Sequence, residues 1–92
     1  MANYTDTETV SGGTVHTINP SYATSGFANI TLVNLGPGPV YVSTNSTVPS
    51  GQSMALNIGE SCYMRLDLTS GPVYVKAAGS VAPVVSYIIS YE

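Results

Sequence analysis

The chain has 92 residues, with two cations, five carboxylates and a formal net charge of −3. That length makes one domain, and so few Lys and Arg leave no basic surface for phosphate contacts, which argues against nucleic acid and against an electrostatically held membrane surface. No run approaches the roughly 18 apolar residues of a membrane span, and the first residues lack the charged-then-apolar pattern of a cleaved leader, so a product made in the cytoplasm and not secreted is expected.

Residues 1–25 stand apart. Met1 to Thr9 carries Asp6 and Glu8 among threonines, and Ser11-Gly12-Gly13-Thr14 suits a tight loop before Val15, Thr17 and Ile18. Two readings stay open here, a hairpin at a sheet edge or an extended arm that lies on a neighbouring subunit. From residue 26 the pattern becomes a regular β-domain. Phe27 to Leu35 alternates, with Ile30 and Leu32 on one face and Thr31 and Val33 on the other. Gly36-Pro37-Gly38-Pro39 then breaks the run, because proline fixes φ and removes a donor. Val40-Tyr41-Val42 forms the next strand, a polar link runs from Ser43 to Gln52, and Ser53 to Ile58 alternates again.

The remaining residues echo this plan. Gly38-Pro39-Val40-Tyr41-Val42 recurs as Gly71-Pro72-Val73-Tyr74-Val75, a shift of 33, and laying residues 30–59 over 63–92 gives eight identities in thirty positions. Asn34 then meets Asp67, each just before a turn, where a side-chain oxygen can accept from turn amides. No stretch has helical periodicity. The expectation is an all-β, small antiparallel β-sandwich of about seven or eight strands, built from two units related by a pseudo-twofold axis. Its core should contain Ile30, Leu32, Val40, Val42, Leu56, Cys62, Met64, Leu66, Val73, Val75 and Ile89. The last run is apolar on both faces (Val85, Tyr87, Ile89 and Tyr91 against Val84 and Ile88), as in a strand that is central or covered on both sides.

Little here points to chemistry. Cys62 alternates in phase with Met64 and Leu66 and reads as a small buried apolar residue. His16 has no acidic neighbour in sequence to orient it, and the acids are scattered, so no catalytic residue, metal ligand or cofactor site is assigned. Asn29-Ile30-Thr31 and Asn45-Ser46-Thr47 match the glycosylation acceptor pattern but come without a leader. The tyrosines are more informative. Tyr41 and Tyr74 are flanked by valines facing the other way, so both project outward, and Tyr22, Tyr63 and Ile88 are candidates to extend an interface with them. Only 8% of residues are charged, so little keeps copies apart, and self-association is expected.

A neutral polar N-terminal segment precedes Val33-Asn34-Leu35-Gly36, then Gly38-Pro39-Val40-Tyr41-Val42, a Val48-Pro49-Ser50-Gly51 link and an alternating strand. Over residues 28–92 this pattern resembles small virion proteins of tailed bacteriophages. The resemblance implies a sandwich or jelly roll, commonly trimeric, acting as a decoration or cement protein on a capsid surface and docked on the major capsid protein. It carries over no catalytic residues. The alternative is a glycan- or receptor-binding module such as a fibre knob, with Tyr41, Tyr74 or Tyr22 stacking on sugar rings.

Overall fold

A computed structural model describes residues 3–18, 26–45, 47–48, 53–69, 72–79 and 81–92. Eight strands are present: β1 (Asn3–Thr9), β2 (Val15–Ile18), β3 (Phe27–Gly36), β4 (Val40–Ser43), β5 (Met54–Leu56), β6 (Ser61–Asp67), β7 (Val73–Ala77) and β8 (Val84–Tyr91). They form two four-stranded antiparallel sheets, a first sheet in the order β1-β8-β3-β6 and a second in the order β2-β7-β4-β5. Successive strands mostly change sheet, which is the jelly-roll arrangement of a small β-sandwich. The expected all-β sandwich is what the chain forms.

The core follows from alternation. In β3, Ala28, Ile30, Leu32 and Asn34 point between the sheets and are fully buried, while the residues between them face outward. Val40, Val42, Leu56, Cys62, Leu66, Val73, Val75 and Ile89 are buried with them, as their phase requires. Met64 packs against this core but is only partly buried, because its strand lies at a sheet margin. The last strand, β8, is indeed interior to its sheet, paired with β1 on one side and β3 on the other. Its outer-facing Ile88 nonetheless remains 48% exposed.

Two expectations change. The N-terminal segment is not a self-paired hairpin: β1 pairs with β8 and β2 with β7, so the Ser11–Thr14 corner passes from one sheet to the other. Pairing β1 with the buried-faced β8 satisfies a whole row of backbone groups that β2, with four residues, could not.

The two-fold repeat is not confirmed either. Only its best-matching part behaves alike: β4 and β7 are neighbours in the second sheet, with Val40, Val42, Val73 and Val75 inward and Tyr41 and Tyr74 outward. The third strands separate, β5 at the margin of the second sheet and β8 inside the first. The first strands are out of phase. An odd shift of 33 lays inward Ile30 over outward Tyr63, and a one-residue slip exchanges the faces of a strand.

Candidate functional site

Among the described residues no pocket opens and no three of His, Cys, Asp and Glu gather where a metal could bind. The candidate sites are therefore surfaces, and the pairing registers locate them.

The proposed interface residues fall on opposite faces. On the outside of the second sheet, Tyr41 stands opposite Lys76 and Tyr74 opposite Ser43, so the two tyrosines are diagonal neighbours, each half-buried. On the outside of the first sheet, Thr5, Ile88, Thr31 and Tyr63 form one row across β1, β8, β3 and β6. Tyr63 is 66% exposed. Tyr22 lies outside the described residues. The structure thus makes Tyr41 and Tyr74 neighbours, sets Tyr63 and Ile88 in one row with Thr31 between them, and keeps the two pairs on opposite faces.

Beside Tyr63 a chain of polar contacts orders the end of the first sheet. The Tyr63 hydroxyl donates to Asn29 Oδ1 at 2.7 Å, and Asn29 Nδ2 donates to Glu92 Oε2 at 3.1 Å. Glu92 also accepts from Arg65 Nε and Nη2, both at 2.8 Å, and the guanidinium lies 3.9 Å from the centre of the Phe27 ring. The Arg65 hydrogen bonds hold the Glu92 carboxyl below its ordinary range and raise the already high pKa of the guanidinium. Sequence reading missed this cluster because its members are far apart in the chain. Its one legible sign was that Arg65, Asn29 and Phe27 share the outward phase of neighbouring strands.

The two margins of the sandwich differ in chemistry. Where β1 and β2 meet, His16 Nε2 accepts from the Ser11 N–H at 3.0 Å, so the neutral ring carries its proton on Nδ1 and donates to Glu8 Oε2 at 3.1 Å. Asp6 takes up the Thr7 N–H at 2.8 Å, one of the β1 donors that point away from β8. The partner of His16 is eight residues earlier in sequence, across the corner, and escaped a reading limited to adjacent residues. Cys62 lies in the opposite marginal strand of the first sheet, far from that imidazole in strand order. Burial pushes its thiol pKa up, against a smaller opposing bond with the Leu32 backbone.

The margin of β5 and β6 has no inward-facing carboxylate in its strands: Asp67 faces outward and accepts from the Thr69 N–H, and Glu60, in the link between the strands, accepts from the Asn57 N–H. Among the inward positions of these two strands, Leu56, Cys62 and Leu66 are buried, and the least covered are Met54, opposite Val42 and 48% exposed, and the half-buried Met64, opposite Ile30. The bonds Asn34 N to Glu60 O and Leu68 N to Gly26 O place the even-numbered residues of β6 against β3. By alternation, the backbone groups of Ser61, Tyr63, Arg65 and Asp67 point away from the sheet.

No family model matches the sequence, and no curated protein is similar to it in sequence. In three dimensions the chain is similar to a protein of the Bacillus endospore appendages, described as a novel family of disulfide-linked pili. The TM-score is 0.64 at 16% identity, over 98% of this chain and 85% of that one. It is also similar to a de novo designed double-stranded β-helix solved by solution NMR, with a TM-score of 0.50 at 17% identity over the whole of both chains. Likenesses at such identities show the fold, an eight-stranded β-sandwich, and go no further.

Proposed function

We propose that the chain is a non-enzymatic structural subunit that assembles with copies of itself, adding a strand of one copy to the β6 edge of the next. The observation that carries this reading is the contrast between the margins. Unpaired strand edges template further pairing, and proteins that must stay monomeric guard them with inward-pointing charges or self-satisfied donors. The β1 margin has both, in Glu8 and Asp6, whereas the β6 margin offers a seven-residue strand lined by methionines. Strand addition there would satisfy the outward backbone groups and cover Met54 and Met64 together. The likeness to an appendage protein, and the scarcity of charge, favour a subunit of an extracellular or otherwise assembled structure. Because Cys62 is buried, such an assembly would not be joined by a disulfide through that thiol.

A capsid decoration protein on a tailed-phage head, as a homotrimer on the major capsid protein, is the narrower form of the same reading. It rests on the sequence resemblance alone. Sedimentation and electron microscopy of the purified chain, from micromolar to millimolar concentration, test the proposal. Concentration-dependent oligomers or filaments are expected, and Met64→Lys, which places an inward charge on the open margin, should abolish them while leaving a cooperative melt. A wild type that stays monomeric throughout, or assembly untouched by Met64→Lys and by Ser61→Pro, would overturn strand addition at β6. A closed trimer that co-sediments only with a larger shell would point to the capsid role instead.

A further inference from the structure

We infer that the outer face of the first sheet is a binding surface for a neutral carbohydrate, with a sugar ring stacked on Tyr63. The inference does not rest on self-assembly, since every residue it uses lies on the outside of one chain. Tyr63 is the most exposed large apolar side chain among the described residues, yet it is not free to swing. Its hydroxyl reaches the neighbouring strand to bond Asn29, which ties down the far end of the ring while most of the side chain stays open to solvent. Asn29 is fixed by Glu92, Glu92 by Arg65, and Arg65 by its stack on Phe27. An exposed aromatic held in place beforehand loses little side-chain freedom when a ligand covers it.

The surroundings select the ligand class. Along the Tyr63 row, Thr31 and Thr5 offer hydroxyls and Ile88 an apolar step, so donors, acceptors and C–H contacts alternate across a flat surface. Arg65 and Glu92 are bonded to each other and the outward Asp67 beside them adds only negative charge, so nothing here attracts an acidic sugar or phosphate. Further N–H groups of Arg65, beyond the two bonded to Glu92, can donate to a sugar hydroxyl. A protein partner would call for a contiguous desolvated apolar centre, and here the exposed apolar groups are dispersed: Tyr63 and Ile88 are separated by Thr31, Phe27 is covered by Arg65, and Leu35 stands four residues along β3 from Thr31.

Labelled protein applied to an array of neutral and acidic glycans, followed by titration of the tightest neutral oligosaccharide, decides the matter. Binding to neutral glycans is expected, with roughly a tenfold loss in Tyr63→Ala, the scale of an aromatic anchor. Tyr63→Phe, which keeps the ring but releases it from Asn29, should lose only a few-fold. Tyr41→Ala and Tyr74→Ala, on the opposite face, should bind as the wild type does. The unchanged thermal melt of each variant serves as the folding control. A blank array, binding confined to acidic glycans, or binding that survives Tyr63→Ala would overturn the inference. So would binding that disappears in Tyr41→Ala. None of these outcomes depends on whether copies assemble, so failure here and failure of the β6 proposal are separable.

Discussion

Two corners of the molecule begin with the same device and come to opposite ends. At the β3–β4 corner, Asn34 Oδ1 accepts from the Gly36 N–H at 2.8 Å. At the β6–β7 corner, Asp67 Oδ1 accepts from the Thr69 N–H at 3.0 Å and the Thr69 hydroxyl at 2.7 Å. Both are local side-chain-to-backbone turns spanning two residues. Asn34, however, points inward and is fully buried, whereas Asp67 points outward and is exposed. The inward amide has two more tasks: its Nδ2 donates to Gly38 O and to Leu56 O, both at 2.9 Å, so one side chain ties β3 to its own turn and to β5. After Asn34 the chain enters positive φ at Gly36, near +89°, while no non-glycine residue among those described does so, Thr69 included. Sequence equivalence therefore does not imply structural equivalence when the face differs.

Breaking the buried corner gives the largest expected effect. Asn34→Asp sets a carboxyl against two carbonyl oxygens: ionised, it is an unpaired buried charge, and protonated, it has one donor for two acceptors. A loss of about 3–5 kcal/mol is expected by urea unfolding at neutral pH. The deficit should shrink in acid, because burial raises the folded carboxyl pKa and the protonated form is the less costly one. Next comes Gly36→Ala. A Cβ there would take the left-handed conformation and lie 3.2 Å from Ile58 Cγ2. An expected cost of about 1–2 kcal/mol follows from the conformation alone, read as a lower denaturation midpoint.

The smallest effect tests the exposed corner. Asp67→Asn keeps an accepting oxygen but loses the carboxylate charge, so the melt at neutral pH should fall slightly. What should change is its pH dependence. The Thr69 hydroxyl and N–H hold the Asp67 carboxyl below its usual range, so its contribution is present above the unfolded carboxyl pKa and lost as pH falls through the lowered folded value. Melting curves of wild type and variant should converge in acid. A variant that retained the full acid slope would show that other carboxylates cause it.

These corners also show how far the residues could be read in advance. Val40-Tyr41-Val42 and Val73-Tyr74-Val75 were legible in full, because alternation in a central strand leaves one choice of inward face. So were Ile30, Leu32 and Leu66. The 33-residue match misled at Asn34 and Asp67, since identities around the turns conceal a one-residue slip between the strands before them. Partners such as Glu8 for His16, or Glu92 for Arg65 and Asn29, were not legible, because they depend on which strands become neighbours. The N-terminal loop was placed correctly at Ser11–Thr14, but a loop does not reveal whether it joins strands of one sheet or of two.

The order of strands in the first sheet has a consequence for how the protein is made. β8 fills the place between β1 and β3, and it follows every other strand in the chain. β1 therefore waits without its partner until β8 has been made, and the sheet cannot close strand by strand. Closing it brings together segments separated by most of the chain, a slow, high-contact-order step. Until then the slot beside β3 stands empty, with Ile30 and Leu32 on its inner wall, and whichever strand fills it first decides whether the chain folds on itself or with its neighbour.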